Sequence, residues 1–529
     1  MIKKYSGLIV AVFLGIITLV FFGNIKQGYF IDELFSYGLA NSASGSYVQD
    51  YFPDGDIRGQ VLTPELIADY LTVQPDERFA YVSVYRNQIR DCHSPFYYML
   101  LHTVCSFFPG RMSKWFGLGL NIVLMALVTV MIYIISMELC QSSRVATAVC
   151  LVYSLSQLAV SMTMLIRMYA LQTLLIMVLA KLALDIYSQK IKKVTYVMYL
   201  FTVLFGALSQ YQFLFFAFYT TLFLMIVLAK RKKFKAVGAI AGSALGGVVL
   251  FFCVWPYVIT QAMGQGSVSA SGSFSHIFEP GQYKWIITFI AASAELLLPA
   301  VAVAVLSTVI YLIIKYSKKA KKESVPGVKV SGAWLLFVSG IMYFVTVCII
   351  SPVPEIRYNW GAISLIVILI GVPLKYLESG MEIKRSYLIA FYSLVVLGSL
   401  SWLTRCEPFY LYKNENEMNE MYAQFSEAPC VYFTNNDKDA ITADLIQLAL
   451  FRDVYVTDEV DWDSISRYID AHAGSQDALV VYVDTDKEWS AGFDSGEYMG
   501  ELYMQCAGRY TDCYYLYRKN MSETYLMTK

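Results

Sequence analysis

The chain has 529 residues, 57% of them hydrophobic and only 16% charged, with a formal net charge of zero. Soluble globular proteins carry about a quarter charged residues, so this composition excludes a wholly soluble chain and points to a polytopic membrane protein. The balanced charge and a mean hydropathy of +0.50 leave no basic surface for nucleic acid. Ten cysteines lie scattered with no C-x-x-C pair, and the four histidines (His93, His102, His276, His472) show no zinc spacing, which argues against a Cys/His metal centre.

Met1-Ile2-Lys3-Lys4 precedes an apolar run to about Phe22 with no A-x-A site after it, which predicts an uncleaved first helix with its N-terminus in the cytoplasm. The run leads into Gly28-Tyr29-Phe30-Ile31-Asp32-Glu33-Leu34, two adjacent carboxylates where the span meets water. A carboxylate at a bilayer rim is costly to desolvate without a partner or a task, although the pair could simply end the span. A polar and aromatic stretch over 24–113 follows, with amphipathic pieces such as Pro64-Glu65-Leu66-Ile67-Ala68-Asp69-Tyr70-Leu71 that suit helices along the interface.

Further apolar runs lie near 115–137, 144–163, 168–187, 194–209, 211–229, 236–259, 286–314, 332–351, 359–377 and 386–403. Each approaches the length needed to cross a core of about 30 Å. With the first helix they make eleven, so the C-terminus is expected opposite the N-terminus. Loops on the expected cytoplasmic side hold Arg144, Lys190, Lys192, Lys193, the run Lys230 to Lys235, Lys315 to Lys322, and Lys384-Arg385. The short loops opposite hold little beyond Arg167, Lys284 and Arg357, which is the asymmetry the positive-inside rule requires.

Beyond 405 the composition becomes that of a soluble domain. Val431-Tyr432-Phe433-Thr434, Val454-Tyr455-Val456, Leu479 to Val483 and Tyr514 to Tyr517 read as strands, with helical periodicity over 441–451 and 464–473. The alternation predicts a small α/β domain with a partly parallel sheet. Its acids Asp437, Asp439, Asp484 and Asp486 read as solvated surface, and Cys506 and Cys513 could bridge a hairpin or remain thiols. The expected division is a transmembrane module over 1–404, containing the 24–113 extracytoplasmic loop, and an extracytoplasmic α/β domain over 405–529.

The outer-face polar residues are then Asp32-Glu33, Asp91-Cys92-His93-Ser94-Pro95-Phe96-Tyr97-Tyr98, Arg167-Met168-Tyr169 and Glu355-Ile356-Arg357-Tyr358. Each has an ordinary explanation. Arginine can snorkel from a helix end, tyrosine can sit in an aromatic belt, and Pro95 can open a helix. Those explanations account less well for both outer arginines being followed by tyrosine. Such a set supports transfer from a lipid-linked phosphosugar: a carboxylate takes the acceptor's proton, and guanidinium groups hold the phosphate.

The D-E pair after the first helix, Asp91-x-His93-x-Pro95-x-Tyr97-Tyr98 before the second, Arg167-x-Tyr169-Ala170-Leu171 and Arg357-Tyr358 together resemble the GT-C superfamily of membrane glycosyltransferases. The resemblance is to its protein O-mannosyltransferase-like group, which includes lipid A aminoarabinose and rhizobial lipopolysaccharide transferases, and spans roughly residues 1–375. Where many members read H-P-P, this chain has His93-Ser94-Pro95. The resemblance implies a polytopic α-helical fold of GT-C type and a bacterial, plasma-membrane, inverting hexosyl- or pentosyltransferase. The implied donor is a polyprenyl-phosphate sugar and the acceptor a cell-envelope glycan, lipid or protein. It implies Asp32 as general base with Glu33 orienting it, Asp91, His93, Tyr97 and Tyr98 lining the acceptor side, and Arg167, Tyr169, Arg357 and Tyr358 holding the donor phosphate. No cofactor is required by it; some members use a divalent cation, and no ligand set for one stands out here. The alternative is a transporter or flippase for a lipid-linked glycan, which would call for charged spans and paired, broken half-helices that are not evident here.

Overall fold

The computed structural model describes residues 2–190, 192–262, 280–317, 330–351, 355–380, 385–472, 474–487, 492–506, 508–519 and 521–529. The basic loop residues 318–322, Lys384 and His276 lie outside them. The chain forms two compact units, one of Met1–Ile25, Asp91–Tyr97 and Gly117–Tyr410, the other of Lys26–Arg90, Tyr98–Phe116 and Leu411–Lys529.

The first unit is a helical membrane bundle. The apolar runs read from the sequence are mainly helical over their described residues, with breaks at 155–156, 255–257, 297 and 370, and the structure does not confirm eleven spans. Among the described residues eight helices are long and apolar enough to cross as single spans, and up to ten spans result if each bent pair counts as one. The bends have local causes. Ser143–Ser154 and Gln157–Met164 meet at 50°, where Ser156 caps the second helix by accepting from the Ala159 amide. Lys284–Leu296 and Leu298–Ser317 meet at 84°, with Pro299 in the first turn of the second helix. Lys193–Ser209, at 17 residues, rises about 26 Å at 1.5 Å per residue and falls short of the core alone. Small residues set close crossings: a Cβ on Gly15 would lie 2.9 Å from Ser154 Cβ, and one on Gly247 would lie 2.6 Å from the Leu200 carbonyl oxygen.

The second unit is built on a six-stranded sheet, β1 (Gln60–Leu62), β2 (Cys430–Phe433), β3 (Val454–Thr457), β4 (Ala478–Asp484), β5 (Asp512–Lys519) and β6 (Ser522–Thr528), in the order β1-β3-β2-β4-β6-β5. Strands β3, β2 and β4 are parallel, joined through helices Lys438–Leu448 and Trp462–Ala471; β1, β6 and β5 add antiparallel. One sheet face buries Val431, Phe433, Leu479, Val481 and Val483 with Ile465, Ile469 and Leu502. On β2 and β4 the intervening residues Tyr432 and Tyr482 stack at 5.7 Å, with Tyr422 and Phe451 beside them.

The division differs from the expected one at the first long loop. Strand β1 comes from that loop, and helix Ile31–Asn41 packs on helix Lys438–Leu448, so Lys26–Arg90 and the loop's end from Tyr98 belong with the C-terminal sheet, while Asp91–Tyr97 belong with the bundle. The cause is hydrogen bonding and burial: Asn436 Nδ2 donates to the Gly55 carbonyl, and Tyr37, Leu39 and Ala40 are buried. Cys506 is buried and Cys513 exposed, and both are free thiols.

Candidate active site

In the bundle, Arg167 sits in the break between helices Gln157–Met164 and Tyr169–Tyr187, its backbone amide donating to the Leu165 carbonyl at 2.8 Å. The break is held from behind: Asn121 Nδ2 donates to the Leu165 and Thr163 carbonyls, and the Tyr97 hydroxyl donates to Asn121 Oδ1 at 3.1 Å. Buried Tyr97 therefore supports the arginine's turn. Neither sequence motif nor spacing marks Asn121; it is one polar residue inside an apolar run.

Asp91, Cys92 and His93 form the bend before helix Phe96–Ser106. Asp91 Oδ2 lies 2.7 Å from His93 Nδ1, and His93 Nε2 lies 3.4 Å from Arg167 Nη2. His93, expected among acceptor-lining residues, thus stands against an arginine expected to hold the donor. Burial penalises both charged forms of the pair. Against it, His93 and Arg167 hold Asp91 below the usual carboxylate range, while Cys92 and Asp91 raise His93 to about 10.

Arg357 is buried in the short turn Ile356–Asn359 that leads into helix Trp360–Leu369. The Tyr358 carbonyl accepts from the Tyr343 hydroxyl at 3.1 Å, and Tyr343 accepts from Gln172 Nε2 at 3.0 Å. Through that link the two Arg–Tyr segments meet. The Tyr169 and Tyr358 rings lie 6.3 Å apart, and Tyr169 is 5.6 Å from Trp360, edge to face.

Asp32 and Glu33 lie in the second unit, in the first turn of helix Ile31–Asn41, where the helix dipole favours carboxylates. Glu33 folds back: its Oε2 accepts from the Phe30 amide at 2.7 Å and from Lys26 Nζ at 2.9 Å, and both side chains of that pair are inaccessible to solvent. Burial holds Lys26 below the ordinary lysine range, with Glu33 opposing it. Lys114 Nζ donates to the Lys26 carbonyl. Glu33 is thus an anchor for the turn that carries Asp32. Tyr98 is fully buried in this unit.

The acids read as solvated surface are partly a correction. They gather at the carboxyl ends of β2 and β4, where Asp484 is only 1% exposed and accepts from the Thr434 hydroxyl and the Asp486 amide. Burial first, then neighbouring Asp437, Asp32 and Asp486, raises Asp439 to about 6.

Among the described residues one group has metal-ligating types brought together: Asp91, Cys92 and His93, with ligand atoms within 4.8 Å of one another. In this arrangement Asp91 and His93 are hydrogen-bonded to each other at 2.7 Å, with the Arg167 guanidinium alongside.

No family model and no curated relative matches the chain. Among solved structures it resembles ArnT from Cupriavidus metallidurans bound to undecaprenyl phosphate, at 11% identity and a TM-score of 0.52 over 99% of this chain and 98% of that one. It also resembles AglB from Archaeoglobus fulgidus, in complex with an inhibitory peptide and a dolichol-phosphate, at 10% identity over 92% of this chain and 70% of that one; its TM-score of 0.44 is too low to bear on this chain. End to end, the chain therefore shares the fold of that structure.

Proposed function

We propose that the chain is an integral-membrane glycosyltransferase that moves a sugar from a polyprenyl-phosphate donor to an extracytoplasmic acceptor, with inversion at the anomeric carbon. The observation that carries this reading is the meeting of Arg167-x-Tyr169 and Arg357-Tyr358 inside a fold like that of an undecaprenyl-phosphate-bound protein. Two guanidinium groups suit the phosphate of such a donor. Asp32 is the general base. It takes the proton of the acceptor hydroxyl as that oxygen attacks the anomeric carbon, while the electrons of the breaking C–O bond pass to the lipid phosphate. The basic loops support an N-terminus in the cytoplasm and a C-terminus outside it.

Asp32→Asn tests the base directly. Asparagine keeps the size of the side chain and the helix start, so expression and melting stay native while transfer falls by about 10²-fold or more. Native turnover in a correctly folded Asp32→Asn protein removes the base.

A further inference from the structure

At the end of the bundle away from Arg167, two loops gather lysines that have no acid to meet. Helix Tyr169–Tyr187 runs from the Arg167 turn to that end, about 28 Å at 1.5 Å per residue. Helix Phe213–Lys230 ends beside it: the next residue, Arg231, donates from Nη1 to the Tyr187 carbonyl at 2.7 Å and stacks 4.2 Å over the Tyr187 ring. That clasp joins the loop after Tyr187 to the loop after Lys230. The nearby carboxylates are already taken, Glu138 by Lys181 (3.2 Å) and Lys190 (3.0 Å), and Asp185 by Lys181 (2.5 Å). Lys192, Lys193, Lys230, Lys232, Lys233 and Lys235 are exposed, and among the described residues no carboxylate pairs with them.

The same corner is stepped. Helices Lys193–Ser209 and Phe234–Val254 run the same way: Gly247 packs on Leu200 and Val203, and past their far ends Trp255 Nε1 donates to the Tyr211 hydroxyl at 2.7 Å. Carried back at that register, Lys193 comes level with buried Ile240, so the longer helix reaches about 9 Å further. From the step an exposed apolar stripe, Val194, Val197, Met198 and Phe201, climbs the shorter helix at helical spacing. Phe234 stands exposed among the lysines of the longer one.

We propose that this corner binds an anionic phospholipid of the leaflet it faces, the cytoplasmic one under the topology above. The lysines meet the headgroup phosphate, and the apolar stripe meets the acyl chains. Membrane orientation asks only for an excess of basic residues on one side, which a few per loop satisfy. It does not ask for six lysines gathered without acids around a step of headgroup depth. The chain as a whole is neutral, so the attraction is local, and each lysine at an anionic surface strengthens binding about fivefold. A soluble polyanion would leave the apolar stripe uncovered; a lipid covers both. The site is independent of the proposed transfer.

The test incubates the purified full chain, in detergent, with equimolar dioleoyl phosphatidylglycerol and dioleoyl phosphatidylcholine, re-isolates it and counts the retained lipids by mass spectrometry. Native protein retains the anionic lipid in about tenfold excess or more, and the ratio falls several-fold between about 0.05 and about 0.5 M salt. Lys232→Gln/Lys233→Gln/Lys235→Gln, which leaves Lys230 and Arg231 to hold the loop's orientation, lowers the ratio about tenfold or more with native melting. Lys232→Arg/Lys233→Arg/Lys235→Arg keeps the native ratio, because charge and not the lysine itself is required. A folded glutamine variant with the native ratio overturns the site. So does native protein whose ratio is near one at both salt concentrations, a measurement that needs no variant to fold. Polyuridylate that strips the retained lipid at equal charge overturns a lipid occupant in favour of a soluble polyanion. None of these outcomes bears on glycosyl transfer, so the two readings fail separately.

Discussion

Lys26→Met removes the cation from a pair whose two side chains are both inaccessible to solvent. Glu33 keeps its 2.7 Å bond from the Phe30 amide but loses the 2.9 Å salt bridge to Lys26, and so remains a buried carboxylate with its counter-charge removed. Breaking a buried pair in this way costs about 3–5 kcal/mol. The second unit holds roughly 200 residues, a size at which 1 kcal/mol moves the melting temperature by about 2–4 °C, so Lys26→Met lowers the Tm of this unit by about 10 °C. The double variant Lys26→Met/Glu33→Leu regains most of the loss, because an apolar pair of similar volume replaces both charges. Calorimetry in detergent at one fixed scan rate reads both, since unfolding of such chains is often irreversible. A single variant melting within about 2 °C of native refutes the reasoning, as does a double variant no more stable than the single.

Burial raises Asp484 to about 6, with Asp437 and Asp486 adding to it. A carboxyl whose folded pKa exceeds its unfolded value favours the fold fully below the unfolded value and loses that contribution as pH rises through the folded one. Asp484→Asn therefore melts higher than native at about pH 8, and the gap closes toward about pH 5; a gap that does not change with pH would contradict the burial argument. In the bundle, Gly247→Ala places a methyl 2.6 Å from the Leu200 carbonyl oxygen and costs about 1–3 kcal/mol in detergent melts. Gly238→Ala, with nothing within 4 Å of the added carbon, is neutral or gains up to about 1 kcal/mol from helix propensity; equal losses at both sites would show that helix contact is not the cause.

The bundle was legible because an apolar run of span length admits few other structures. What the runs hid were the breaks: Ser156 and Pro299 bend two of them, and neither interrupts the apolar pattern strongly. In the sheet, β2, β3, β4 and β5 announced themselves through β-branched and aromatic residues. Strand β6 did not, because the inward-facing Ser522 and Thr524 are polar, satisfied by Asp444 and Tyr422, so its alternation does not read as apolar-inside. Strand β1 is three residues long and pairs with a strand almost 400 positions away, which no local pattern reveals. The site divided the same way. Arg167, Arg357 and their tyrosines stood out by sidedness. The Lys26 partner of Glu33 and the Gln261 contact to Asp91 are long-range or buried polar contacts, which show only once the chain is folded.

The most direct measurement follows free polyprenyl phosphate released by purified native protein, in detergent, from a panel of polyprenyl-phosphate sugars offered with envelope glycan, lipid and peptide acceptors. A transferase of the proposed kind releases polyprenyl phosphate from at least one donor, the sugar appears on an acceptor with inverted anomeric configuration, and Asp32→Asn lowers the release by about 10²-fold or more. No release from any donor, together with ATP-independent movement of a lipid-linked glycan across liposomes holding the same protein, would contradict glycosyl transfer and favour a flippase.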